Sequence, residues 1–155
     1  MKPKQIIIGV LFLVVIVGLF MWGNALKGTN LVFFEDTDVA CLSAGHQNLA
    51  FHIHPRMVIT VDGQNEVLPA NIGINAGCMS EVHTHDATGE IHVESFRNDR
   101  LTLLNLRHFF DVWGVTPERE GYTLEIYFQG ERKNSVDEIP FVDLSLIELK
   151  YTKLP

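Results

Sequence analysis

Five of the seven histidines stand in three alternating pairs, His52-Ile53-His54, His83-Thr84-His85 and His92-Val93-Glu94, with Glu94 in the last slot. Side chains alternate faces along a β-strand. Each pair would therefore set two imidazoles, or an imidazole and a carboxylate, on one face about 7 Å apart. Neutral imidazole is the commonest transition-metal ligand. The pairs predict a site in which His52, His54, His83, His85, His92 and Glu94 hold a divalent transition metal, copper or zinc first and iron next. The competing reading is a polar sheet face whose imidazoles bond to neighbours or solvent. The spacing matches neither a zinc finger nor HExxH.

Between the second and third pairs lies Asp86-Ala87-Thr88-Gly89-Glu90-Ile91, rich in hairpin residues. A two-residue loop at Thr88-Gly89, or a four-residue loop from Ala87 to Glu90, would set His85 opposite His92 and His83 opposite Glu94. A three-residue loop with Gly89 in the left-handed region would shift the pairing by one and put His92 opposite Thr84. His46 and His108 stand alone, and a lone histidine reads as a surface or hydrogen-bonded residue.

The N-terminus carries Lys2 and Lys4 and then no charge from Ile6 to Leu26. A run of that length can span a bilayer core of about 30 Å. The positive-inside rule keeps the lysines cytoplasmic, so residues 1–26 predict a single-pass anchor in the cell membrane with an extracytoplasmic domain. A cleaved signal peptide is the alternative, although Gly23-Asn24-Ala25 is a poor cleavage site and the run is long for one. Either reading exports the domain.

Export gives meaning to Cys41 and Cys78, the only cysteines. An exported even pair is expected to oxidise. The bridge would close 37 residues and stabilise by roughly 4 kcal/mol in the chain-entropy model, holding the His52 strand near the His83 strand. The alternative is thiol ligation, as in copper sites with two His and one Cys. Without Lys2 and Lys4 the chain has ten basic and nineteen acidic residues, a formal charge of −9. No basic stripe offers a nucleic-acid surface, and the acidity would concentrate cations.

These residues need a scaffold, and the pattern predicts an α+β domain over 46–155, mostly antiparallel β with one packed helix. A linker over 27–45 precedes it. Its start, Leu31-Val32-Phe33-Phe34, could either lie on a membrane surface or begin the fold. Phe51, Ile53, Met57, Ile59 and Val61 alternate with His52, His54, Arg56 and Thr60, so the histidines lie opposite the apolar face. Asp62-Gly63 predicts a turn into a strand around Glu66-Val67-Leu68. Leu103, Leu106, Phe110 and Trp113 are spaced as a helical stripe over Thr102 to Trp113, with Gly114 as its stop. Strands are expected over Tyr122 to Gln129 and Leu144 to Thr152. There is no repeat or low-complexity tract.

The segments FHIHPRMVITVDGQNEVLPANIGI, CMSEVHTHDATGEIHVES and LTLLNLRHFFDVWGV resemble a family of bacterial and archaeal exported or membrane-anchored proteins. Its members carry HxH, Cys followed by LHTH, IHxES, and a helix ending in FFDxWG. The resemblance spans roughly residues 41 to 150. It implies shared roles for Cys41, His52, His54, Cys78, His83, His85, His92 and Glu94, and it names no activity. One departure is Leu144, where members often have a histidine after the Ile-Pro dipeptide.

Three functions follow as expectations. The first is an anchored binding module that holds copper or zinc for storage, sensing or delivery to a metal-transfer partner. The second is a metalloenzyme, in which two His and one carboxylate leave open positions for a non-haem iron oxygenase or a zinc hydrolase. The third is a structural subunit of a membrane complex. No Ser/His/Asp order, phosphate loop or dinucleotide fingerprint offers another chemistry.

Overall fold

The structure is a computed structural model that describes Val15, Ile16 and residues 31–42 and 46–155. The expected anchor lies outside the described residues except for Val15 and Ile16. Among the described residues no helix is long and apolar enough to cross a membrane. The chain divides into two units, Met1–Leu31 and Val32–Pro155.

Among its described residues the second unit is α+β, with mostly antiparallel strands in three sheets and one α-helix. Its largest sheet has five strands. β2 (Arg56–Val61) pairs antiparallel with β3 (Gln64–Glu66) through Asp62-Gly63, where φ is +50° and +78°. Two successive positive φ values make the turn whose twist suits a two-residue hairpin. β8 (Tyr122–Phe128) and β9 (Glu131–Lys133) repeat the device at Gln129-Gly130, with φ of +51° and +80°. β10 (Leu146–Lys153) lies between β2, to which it runs parallel, and β8, to which it runs antiparallel. Ile147, Leu149 and Tyr151 alternate inward from it and are buried.

The helix α1 (Leu106–Trp113) is shorter than the periodicity implies. A separate 3-10 turn occupies Asn98–Thr102, and Asn105 caps α1 by accepting from the Arg107 amide. Leu103, expected in the apolar stripe, falls between the two pieces and is exposed, while Phe109 and Val112 join Leu106 and Phe110 inside. Gly114 ends α1 at φ +72°, the left-handed stop expected of it. The stripe packs into one core with Met57, Ile59, Ile147 and Leu149.

The alternating run from Phe51 to Val61 divides in two. β1 (Phe51–Ile53) belongs to a three-stranded sheet, and β2 begins after His54-Pro55 in the other. Proline lacks the N–H that a continuing ladder needs. In the smaller sheet β7 (His92–Ser95) lies between β1 and β6 (Val82–His83), antiparallel to both. A two-stranded hairpin, β4 (Ile74–Asn75) with β5 (Cys78–Met79), completes the set.

The linker expected over 27–45 is largely part of the fold, which begins at Val32 rather than at 46. Phe34, Val39, Ala40 and Leu42 are buried, and Cys41 bridges Cys78 with the Cα atoms 5.3 Å apart. Apolar burial and a covalent tie together hold this segment. A flexible linker would have neither.

Candidate metal centre

β7 carries the centre. His52 of β1 lies opposite Glu94 and His83 of β6 lies opposite His92. The hairpin register thus differs from both alternatives expected. It is displaced by two residues from His85–His92 pairing, because the connection after His83 runs long and is fastened to β2. Met57 donates its N–H to the Gly89 carbonyl at 2.8 Å, and Ile91 donates to Pro55 O at 2.9 Å. Gly89 does have a left-handed φ of +87°, and a Cβ there would collide with the Met57 carbonyl. A displacement of two keeps every side chain on its expected face. Histidines from three strands therefore still meet.

All six expected ligands converge. His52 Nε2 lies 2.8 Å from Glu94 Oε1 and 3.1 Å from His92 Nδ1. His83 Nε2 lies 3.1 Å from His85 Nε2. The His54 ring sits 4.3 Å from that of His52 and 4.8 Å from that of His92. Glu94 is fully buried.

The sequence reading missed His46, whose Nδ1 lies 2.7 Å from Glu94 Oε2 and 3.0 Å from Oε1. Nothing in its local spacing marks it. The clue available was its position five residues after Cys41. The 41–78 bridge, the Leu42 N–H donated to Met79 O, and Ala40 held on Glu81 bring that part of the chain beside β6. The bridge therefore ties the His46 approach to the His83 strand, rather than tying the His52 strand as expected. It also removes both thiols from consideration as ligands, since no cysteine is free. His108 is bonded to its own helix cap, Asn105, at 2.7 Å, as expected of a lone histidine.

Surrounding groups orient the imidazoles. His83 Nδ1 donates to the Ser80 carbonyl at 2.9 Å, which leaves its Nε2 lone pair facing His85. Such support of the far nitrogen is how proteins set the tautomer of a metal-binding histidine. Glu90 lies 3.3 Å from His92 Nε2 and Asp143 lies 3.8 Å from His54 Nδ1. Asp143 also accepts the His54 backbone N–H at 2.9 Å. Gly73 passes so close to His83 that a Cβ there would stand 2.7 Å from the Val82 carbonyl and 3.2 Å from His83 Cβ. Glu81, buried beneath the sheet, accepts from Ser95 Oγ, the Ala40 N–H and Arg100 Nε at 2.6, 3.1 and 2.9 Å. Its oxygens serve the scaffold.

Burial favours the neutral form of three of the imidazoles, His52, His83 and His92. Burial pushes the pKa of His83 down to about 3, against the opposing pull of the Ser80 carbonyl, and His85, His92 and His46 add to the fall. Burial also lowers His52, opposed by the Glu94 carboxylate, and lowers His92, assisted by His85 and His54. A neutral imidazole is the form that binds metal.

Three groups have ligand atoms within 4.8 Å of one another: His46, His83 and His85; His52, His54 and His92; and His83, His92 and Glu94. Two nitrogens on one tetrahedral ion at 2.0–2.1 Å stand roughly 3.3 Å apart. The 3.1 Å between His83 and His85 is close to that value. The donor set, nitrogen-rich with one carboxylate, fits a transition metal. No family model, curated protein or solved structure matches the chain.

Proposed function

We propose that this protein is a membrane-anchored, extracytoplasmic binding protein for copper or zinc, held by the histidine sheet. The observation that carries the reading is the convergence of His46, His52, His83 and His92 on buried Glu94, with His54 beside His52 and His85 beside His83. Imidazole with carboxylate suits both metals, and the Irving–Williams order favours copper where both are available. The uncharged run from Ile6 to Leu26 supports the anchor, and the disulfide suits an oxidising compartment. The HxH, HTH and IHVES motifs support membership of the exported family that the chain resembles.

A second reading, a metalloenzyme using zinc or iron, draws on one observation. The side chains of His46, His52 and His54 are 47%, 36% and 30% exposed, so a substrate could reach the metal edge. Turnover, or an exchangeable coordination position, would separate it from a storage or delivery site.

The test is elemental analysis of the full chain purified without a polyhistidine tag, followed by titration of the metal-free protein with Cu(II) and Zn(II). Bound transition metal is expected. His85→Ala should weaken binding of the metal it ligates by more than about 100-fold, the upper range for a merely supporting residue, while His108→Ala should leave binding unchanged. Equal behaviour of the two variants would refute the site. N-terminal sequencing should begin at or near Met1; a soluble form starting near Leu26 would replace the anchor with a cleaved signal.

A further inference from the structure

The geometry points to two metal ions rather than one, bridged by the Glu94 carboxylate. The inference rests on the metal-binding reading above and goes beyond it in stoichiometry and in the division of the ligands. Seven donors converge, whereas a zinc or copper ion in a protein site is commonly satisfied by about four. The surplus is not scattered. It falls into two groups of three histidines with no member in common, His46 with His83 and His85, and His52 with His54 and His92.

Glu94 lies where the two groups meet. His46 of the first group is nearest Oε2, at 2.7 Å, and reaches Oε1 at 3.0 Å, while His52 and His92 of the second group approach Oε1 alone, at 2.8 and 3.6 Å. The remaining close group, His83, His92 and Glu94, contains one histidine from each set and the carboxylate between them. The stacked rings of His83 and His92, with centroids 5.3 Å apart, mark the same seam. One carboxylate oxygen on each ion would complete two four-ligand sets. Metal pairs in proteins stand about 3.5–4 Å apart, a span one carboxylate can bridge.

The charge fits as well. Glu94 is fully buried with His46 and His52 as its nearest polar neighbours, and a buried carboxylate is costly unless it is paired or coordinates a metal. Two divalent ions would supply the positive charge. The sheet explains why one residue can serve both sides: β7 is the central strand, so Glu94 and His92 have a histidine strand on each flank.

The experiment is a titration of the metal-free full chain with Cu(II), and separately with Zn(II), read by calorimetry and by elemental analysis after desalting. Two equivalents per chain are expected. His85→Ala and His54→Ala should each retain one equivalent, and His108→Ala should retain two. With Cu(II) the doubly loaded protein should show a reduced, coupled paramagnetic signal, whereas each single-histidine variant should show that of one isolated ion. Glu94→Gln, similar in size, should remove the coupling and weaken the second equivalent by at least 10-fold. Circular dichroism of each variant confirms that it remains folded. One equivalent in the unaltered protein overturns the bridged pair and leaves the binding function standing; no bound metal overturns both. Two equivalents that both vanish in His85→Ala would also overturn the division drawn here.

Discussion

The five-stranded sheet and the three-stranded histidine sheet are built on opposite terms. β10 runs for eight residues, is paired on both sides and buries Ile147, Leu149 and Tyr151. Its stability comes from apolar area removed from water. β1, β6 and β7 have three, two and four residues. Between them they enclose His83, Glu94 and Ser95, polar groups that are expensive to bury unless partnered. So few ladder bonds cannot hold such a face unaided. The smaller sheet is held instead by Val82 and Val93 in the core, by the 41–78 disulfide, and by Glu81 joined to Arg100. Apolar burial along long strands stabilises the first sheet, whereas the second adds cross-links to its few buried valines.

The comparison is broken most strongly by removing the cross-link. Cys41→Ser with Cys78→Ser should lower stability by roughly 4 kcal/mol. It should also weaken metal binding, because the His46 approach loses its tie to β6. Denaturant unfolding and a metal titration on the same protein check this; unchanged metal affinity would mean that the bridge does not position His46.

Leu149→Ala attacks the other side of the contrast. Truncating a fully buried leucine costs roughly 2–5 kcal/mol, so unfolding should occur at clearly lower denaturant. Metal affinity of the folded protein should stay within about 3-fold, since the change lies in the other sheet. A large loss of affinity with the fold intact would show that the two sheets are not independent in this sense.

Acid gives a smaller and more graded effect. The His83 pKa is lowered to about 3 from an ordinary 6.5, so between these values the unfolded chain holds a proton that the folded chain lacks. Stability conferred by the neutral ring is full above about pH 6.5 and is lost as the pH falls toward 3, at about 1.4 kcal/mol per pH unit. His52 and His92, lowered by burial, act in the same direction. Melting temperatures of metal-free protein should therefore drop between pH 7 and pH 5, above the usual carboxylate range. A flat or rising profile would contradict the burial of His83. Proton competition for metal at these three rings moves down from the pH of about 6 that ordinary imidazoles imply.

Much of the scaffold was legible because its signals are local. Asp62-Gly63, Gly114 and the alternation along Tyr122–Phe128 each act within a few residues of themselves. The length of α1 was not, because the periodicity of Leu103 continues across a capped break that only Asn105 and its hydrogen bonds create. The second hairpin, β8 with β9, went unread because Glu131–Lys133 is polar and carries no alternation.

Within the centre, the sequence by itself determined which face each paired histidine takes, since the strand period of two survives any even displacement of register. It also determined that the two cysteines had only each other to bridge with. Tertiary structure decided the rest. The fastening of Gly89 to Met57 and of Ile91 to Pro55 set His83 opposite His92, and the break at Pro55 placed β1 beside β7. The bridge to Cys78 and the hydrogen bonds of 32–42 brought His46 to Glu94 from 48 residues away. A side-chain period reports only on the strand that carries it, whereas the meeting of three strands and a distant loop depends on contacts between segments that have no common period.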